Sequence, residues 1–294
     1  MPSTTTTTDG RTLAFAEWGV SDGFPVFSLH GTPGSRLGHH PDENVYRQAG
    51  ARVITYDRPG YGQSSRHPGR RVADAAADVA TIADALGIDR FAVFGGSGGA
   101  PHALACGALL GDRVTRCASV VGPAPYGDTG LSAEHWFTNM VEGNVKEFGW
   151  ALEGEQTLRR HLEPDVEELL KSVDSDTKDA LGEDYKLSDA DAEVMQRPEI
   201  RSMLAASVRE GVGETIDGFV DDDLAFTEPW GFDPAAITIP AAVWYGPQDT
   251  LVPTGHGEWL GRTIPGAKVV LLEGGHFAIY DRTGELLDWL RDGG

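Results

Sequence analysis

Six short apolar runs recur along the chain: FPVFSLHG, ARVITYDRPG, FAVFGGSGG, RCASVVGP, AAVWYGPQD and KVVLLEGGH, each closed by glycine, proline or a polar residue. Runs of this length, rich in β-branched and aromatic residues and bounded by turn formers, read as strands, most of them buried. Between several lie stretches with apolar residues at helical spacing, notably VADAAADVATIADALGI and GAPHALACGALLGD. Strands alternating with helices imply a parallel sheet covered on both faces, with reactive groups at the carboxyl ends of the strands. Ahead of this pattern, Thr4 to Thr8 favour a strand, and Asp9-Gly10 suits a two-residue type I′ turn into TLAFAEWG.

The rhythm breaks between about Tyr126 and Trp230, an acidic, largely helical interval with no convincing strand. This predicts a core of residues 1–125 and 231–294 interrupted by a helical insertion at 126–230. HWFTNMVEGNVKEFGWALEG and EPDVEELLKSV look amphipathic, whereas VDSDTKD and LSDADAE have the Ser and Asp content of helix starts and turns. VDDDLAF, residues 220–226, is expected to be a solvated helix face, with acids placed near the entrance to the site as the alternative.

Composition excludes some function classes. With 24 Lys and Arg against 45 Asp and Glu, a net charge of -21, the chain cannot easily cluster the cations that nucleic acid or an anionic membrane requires. Its two cysteines, Cys106 and Cys117, lie in apolar segments and are expected to be reduced. MPSTTTTTDG has neither the basic nor the apolar part of a secretory signal, so a cytoplasmic location is expected.

The run FAVFGGSGGA sets Ser97 in a G-x-S-x-G pattern, with a strand before and a helix after. A serine hydroxyl is a weak nucleophile until a base removes its proton, and a sharp strand-to-helix turn exposes the oxygen to such a base. Four flanking glycines suggest a backbone that side chains would obstruct. The Gly98 amide, at the start of the helix, can point at a developing oxyanion. Phosphate-cradling alternatives lack their signatures, since neither G-x-x-x-x-G-K-[ST] nor an early G-x-G-x-x-G with its acid is present.

Among nine histidines, His276 follows the last apolar strand in a Gly-Gly-flanked loop, which selects it as the base. Asp249, at the end of the penultimate strand, fits as the acid that orients the imidazole, with Asp128 as runner-up and Asp281 behind it. The order Ser97, Asp249, His276 is the one this architecture uses. SLHGTPGSR supplies a second oxyanion donor, the Thr32 amide. The Thr32–Pro33 bond suits a cis isomer, an ordinary rigid loop being the plainer expectation. His30 is expected to brace this loop, and Asp57 and Arg58 of DRPGYGQSS to act structurally. His39, His40 and Asp42 lack zinc spacing, so a cofactor-free, metal-free site is expected.

These residues, taken in order over nearly the whole chain, resemble the α/β-hydrolase superfamily, in its cap-bearing branch of small esterases, epoxide-hydrolase-like proteins and proline iminopeptidases. The resemblance implies an eight-stranded, mostly parallel sheet with a helical cap inserted after the sixth strand. It implies Ser97 as nucleophile, Asp249 as acid and His276 as base, with HGTPG at His30 to Gly34 as the oxyanion loop. Epoxide hydrolases and haloalkane dehalogenases of this fold need a carboxylate nucleophile where Ser97 stands, which excludes their chemistry. The iminopeptidase elbow usually carries Trp after the serine, where this chain has Gly98, which weakens that reading. The expectation is therefore a serine hydrolase of a small acyl substrate, esterase-like. Amide or C–C bond hydrolysis, cofactor-free perhydrolysis and a non-catalytic receptor are the alternatives. Trp136, Phe137, Trp150, Phe219, Phe226 and Trp230 are the aromatics available to an apolar pocket, most of them expected to be cap core. No segment identifies a surface for the homo-oligomer that base rates allow.

Overall fold

The computed structural model describes residues 2–175 and 183–291. Its strands are β1 (Ser3–Thr6), β2 (Thr12–Gly19), β3 (Phe24–Leu29), β4 (Ala51–Tyr56), β5 (Phe91–Gly96), β6 (Val114–Val120), β7 (Ala241–Tyr245) and β8 (Lys268–Leu271). They form one eight-stranded sheet in the order β1-β2-β4-β3-β5-β6-β7-β8. The β1–β2 and β2–β4 pairs are antiparallel and every other pair is parallel. The six apolar runs are thus β3 to β8, the mostly parallel sheet that the pattern predicts.

Alternation along the central strands feeds two cores, as the period of two requires. Phe27, Ile54, Val93 and Val243 pack on one face, under α2 (Ala75–Ala85), α3 (Gly99–Leu109) and α10 (Thr254–Thr263). Val26, Val53, Ala92 and Trp244 pack on the other, under α1 (Asn44–Ala49) and α11 (Thr283–Arg291). The edge strand β8 departs from the buried expectation, since Val269 and Leu271 are exposed.

The N-terminal hairpin forms, but its two-residue turn does not. Thr6 pairs with Thr12, leaving five residues between the strands, and Gly10 takes φ 88° while Asp9 has no positive φ. A type I′ turn needs both central residues left-handed. Here the Thr7 hydroxyl instead donates to Asp9 and accepts from the Arg11 amide, which stabilises the wider loop.

Between β6 and β7 the described residues hold helices and no strand: α4 (Ala133–Trp136), α5 (Glu142–Glu153), α6 (Glu155–Ser175), α7 (Asp189–Val194), α8 (Pro198–Val212) and α9 (Asp217–Thr227). Part of VDSDTKD lies outside the described residues. LSDADAE does start a helix, with the Ser188 side chain capping α7. A third apolar cluster joins α5, α6, α8 and α9 around Leu158, Leu162 and Phe219, and Tyr61 from the loop after β4 inserts into it. This helical segment also packs over the carboxyl edge of the sheet, where Phe226 and Trp136 join the core beneath. No described helix is long and apolar enough to cross a membrane.

Candidate active site

Ser97 sits between β5 and α3 with φ 52°, a left-handed conformation that costs a residue with a Cβ free energy and signals an imposed turn. Its amide donates to the Val120 carbonyl of the adjacent strand at 2.9 Å. Side chains at Gly95, Gly98 and Gly99 would collide with neighbouring atoms: the Gly99 carbonyl, the Thr32 hydroxyl and the Leu29 carbonyl respectively. Gly96 faces open space, so three of the four glycines answer to close packing and the fourth does not.

His276, after β8, and Asp249, after β7, meet at this edge, with His276 Nδ1 2.8 Å from Asp249 Oδ2 and both side chains buried. The other Asp249 oxygen accepts the Leu251 and Val252 amides, each at 2.9 Å, which fixes the carboxylate before it meets the ring. Burial alone would push the His276 pKa down, but the Asp249 carboxylate outweighs it and holds the imidazole above its ordinary value. The competing acids lie elsewhere. Asp128 is exposed in a turn, and Asp281 forms a bidentate pair with Arg197 at 2.6 and 2.9 Å.

Three other buried histidines are held below their ordinary range, each chiefly by burial. His30 accepts the Arg58 amide at Nε2 (3.2 Å) and so donates from Nδ1 to the Gly31 carbonyl (2.7 Å), bracing the loop in a neutral form. His102, pushed down to about 3, donates from Nδ1 to the Gly98 carbonyl at 2.8 Å. His256, pushed down to about 4, accepts the Ala124 amide and donates to the Trp136 carbonyl. His39 stacks on Trp18, with 3.6 Å between ring centroids, and His40 bonds the Tyr280 carbonyl.

The Thr32–Pro33 peptide is cis, not the plainer isomer. Around it the structure corrects the expectation for VDDDLAF, because Asp221, Asp222 and Asp223 on α9 are all buried. Asp222 enters the loop system beneath Ser97, accepting from the Thr32 hydroxyl (2.6 Å), Tyr61 (2.8 Å) and Arg70 (2.6 Å) and pairing with fully buried Arg58. Arg58 in turn donates to the His30 and Gly31 carbonyls, tying α9 to the loop that carries Thr32. Burial pushes the Asp222 carboxyl up, but the two guanidinium groups outweigh it and hold it well below the carboxylate range. Asp57, as expected, is structural, accepting the Arg36 and Gln63 amides.

A cavity of about 50 Å³, room for a few waters, lies over Ser97. Thr32, Gly98, Trp136, Phe148, Phe226 and Val252 share its lining with Ser97. Of the six aromatics singled out from sequence, Trp136 and Phe226 reach it. Trp150 stacks on His161, Phe219 joins the helical cluster, Trp230 packs near Phe232, and Phe137 packs against Tyr126 and Trp136. Among the lining residues, Phe148 and Glu147 carry no signal in the sequence, whereas Asp223 comes from VDDDLAF, for which acids near the entrance are the second expectation. Burial pushes Glu147 up to about 8, and burial together with the Glu147 and Asp222 charges pushes Asp223 well above the ordinary range. Neither Asp223 oxygen has a hydrogen-bond partner among the described residues.

A sequence model of the alpha/beta hydrolase fold matches residues 25–283. The chain belongs to this family. Partial matches link this alpha/beta hydrolase to a proline iminopeptidase of Xanthomonas citri, 37% identical over 33% of this chain and 32% of that protein. A non-heme chloroperoxidase of Streptomyces lividans is 38% identical over 28% of this chain and 30% of that protein. The matched segments thus span about a third of the length of these relatives. Among solved structures, an esterase from Thermogutta terrifontis superposes with TM-score 0.67 at 23% identity, covering 100% of this chain and 99% of its own. An enol-lactonase from Burkholderia xenovorans gives 0.68 at 21%, covering 99% of each chain, and both likenesses bear on the fold.

Proposed function

We propose that this alpha/beta hydrolase cleaves a small ester or related acyl substrate through a Ser97 acyl-enzyme, with residues 126–230 acting as a cap over the site. The observation that most supports this is the 2.8 Å contact between His276 Nδ1 and Asp249 Oδ2 at the sheet edge where β5 delivers Ser97. Asp249 fixes the tautomer with Nδ1 protonated, leaving Nε2 free to take the Ser97 proton. The Ser97 oxygen then forms a bond to the acyl carbon, and the carbonyl electron pair moves to its oxygen, stabilised by the Thr32 and Gly98 amides. Collapse breaks the bond to the leaving alcohol, which takes the proton from the imidazolium. Water repeats the sequence on the acyl-enzyme: His276 accepts its proton, the acid departs, and Ser97 regains its hydrogen.

A second reading, hydrolysis of an amide or ester whose substrate carries an ammonium group, draws on Glu147 and Asp223. Two buried carboxyl groups beside Ser97, one without a hydrogen-bond partner among the described residues, would gain a counter-charge from such a group and release protons as it bound. The iminopeptidase names among the relatives agree with this reading.

Labelling with a fluorophosphonate tests the serine, and Ser97→Ala is expected to abolish both labelling and p-nitrophenyl acetate hydrolysis. Full activity in that variant refutes the proposal. Comparing p-nitrophenyl acetate, a γ-lactone and proline β-naphthylamide separates the two readings, because only the second expects the cationic substrate to lose most of its rate in Asp223→Asn.

A further inference from the structure

His276 has a second carboxylate beside it, and this one comes from the helical segment. Asp191, fully buried on α7, accepts the His276 amide at Oδ2 (3.0 Å) and the Phe277 amide at Oδ1 (2.8 Å). The Ser188 hydroxyl adds a third donor at 2.9 Å, so the carboxylate is satisfied and held in one orientation. Hydrogen bonds of an amide to a carboxylate are short and strong, and two to consecutive amides fix the backbone on which the imidazole is mounted. We propose that Asp191 is a positioning residue for the His276 base: it sets where the imidazole's backbone sits, while Asp249 sets how the ring is turned. The inference rests on the serine-hydrolase reading above.

Two independent features of the loop agree. A side chain at Gly275 would collide with both Asp191 oxygens, so the glycine preceding the histidine is there to admit this carboxylate. Gly274 takes φ 142°, and a side chain there would come within 3.1 Å of Ala278 and 3.7 Å of Ala190, the residue next to Asp191. The Gly-Gly pair that marks His276 in the sequence is therefore fitted to α7. The bidentate Arg197–Asp281 pair joins the same two parts of the chain at the surface, without touching the histidine.

Charge matters as well as geometry. Asp249 and Asp191 are the acidic groups that act on the imidazole, and each favours its protonated form. Glu193, Arg197, Glu273 and Asp281 line the neighbouring cavity with Asp191, and Arg197 and Asp281 are paired with each other at the surface. Removing the Asp191 charge therefore lowers the pH at which His276 loses its proton. A displaced imidazole meanwhile slows every proton transfer, and errors near 1 Å cost on the order of a hundredfold in rate.

The test compares wild type with Asp191→Asn, Gly275→Ala and Arg197→Ala, using fluorophosphonate inactivation and p-nitrophenyl acetate hydrolysis from pH 5 to 9. Rates are normalised to the serine finally labelled, so that only folded sites count. Asp191→Asn keeps the side-chain volume and one acceptor oxygen. It is expected to label to completion about tenfold more slowly or worse, to lose kcat with KM little changed, and to move its acid limb to lower pH. Gly275→Ala, which forces the carboxylate away, should show the same loss of rate and carries the comparison if Asp191→Asn does not fold. Arg197→Ala should match wild type, which separates positioning of the base from general loosening of the segment. Wild-type rate and acid limb per labelled site in Asp191→Asn overturn the proposal while leaving the Ser97 mechanism standing. Wild-type labelling that persists in Ser97→Ala overturns that mechanism instead.

Discussion

Replacing Asp222 by Asn should be among the most damaging single-atom changes available outside the proposed Ser97, His276 and Asp249 set. The carboxylate is fully buried and is the acceptor for Thr32, Tyr61, Arg58 and Arg70 together. Asparagine keeps the shape but withdraws the charge and turns an NH2 group toward donors, leaving two buried guanidinium groups without their counter-ion. Breaking such a pair costs about 3–5 kcal/mol. That is a large part of the roughly 5–15 kcal/mol by which folded chains exceed unfolded ones. At about 2–3 °C per kcal/mol for a chain of this size, the melting temperature should fall by about 6–15 °C. The pH dependence carries a sign. Because the folded pKa lies well below the ordinary value, this stabilisation is present above about pH 4 and is lost as the pH falls through the folded pKa. The deficit of Asp222→Asn should accordingly be full at pH 7 and shrink in strong acid. Glu43→Gln, which breaks the exposed pair with Arg47, is the control and should change stability by no more than about 0.5 kcal/mol. Thermal unfolding followed by circular dichroism at about pH 2 and pH 7 measures both. An Asp222→Asn protein melting within about 2 °C of wild type would refute the view that this residue anchors the buried charges.

The pH profile of kcat/KM for p-nitrophenyl acetate should fall on the acid side with a midpoint above about 6.5, because Asp249 raises the pKa of His276, the proposed base, which works only when neutral. Asp249→Asn should lower that midpoint and cost about 10⁴-fold in kcat. Glu147, pushed up to about 8, stays protonated in the fold while the unfolded chain ionises near 4.3, so stability should decline as pH rises between those values. Glu147→Gln should flatten that decline and raise the melting temperature at pH 8 relative to wild type, which paired melts at pH 5 and pH 8 would detect.

The sheet was legible because its information is local: six apolar runs closed by turn residues became β3 to β8, and the helices between them fell where their periodicity indicates. Ser97 and His276 stand out for the same reason, each following an apolar run that closes in a pair of glycines. In the sequence Asp249 is preferred over Asp128 by its strand-end position and chain order; in the fold it is Asp249 that lies 2.8 Å from His276 Nδ1. The buried acids were illegible because their partners lie far away in sequence, Arg58 being 164 residues from Asp222 and His276 85 residues from Asp191. VDDDLAF nonetheless held a usable signal. Three consecutive helical positions sweep about 200° of a helix face, so they cannot all look at solvent when the flanking Val220 and Phe226 are core residues. Glu147 offered no such clue, since an acid in an amphipathic helix reads as polar face until its neighbours are known.

Asp191 and Asp222 stand at separate points of the helical segment, yet one grips the turn carrying the histidine and the other the loop carrying Thr32. Chimeras that exchange these helices with those of a relative must therefore bring both aspartates in register with Gly275 and with the Arg58–Arg70 pair. A graft chosen by its pocket walls alone should assemble a sound sheet and still be inert.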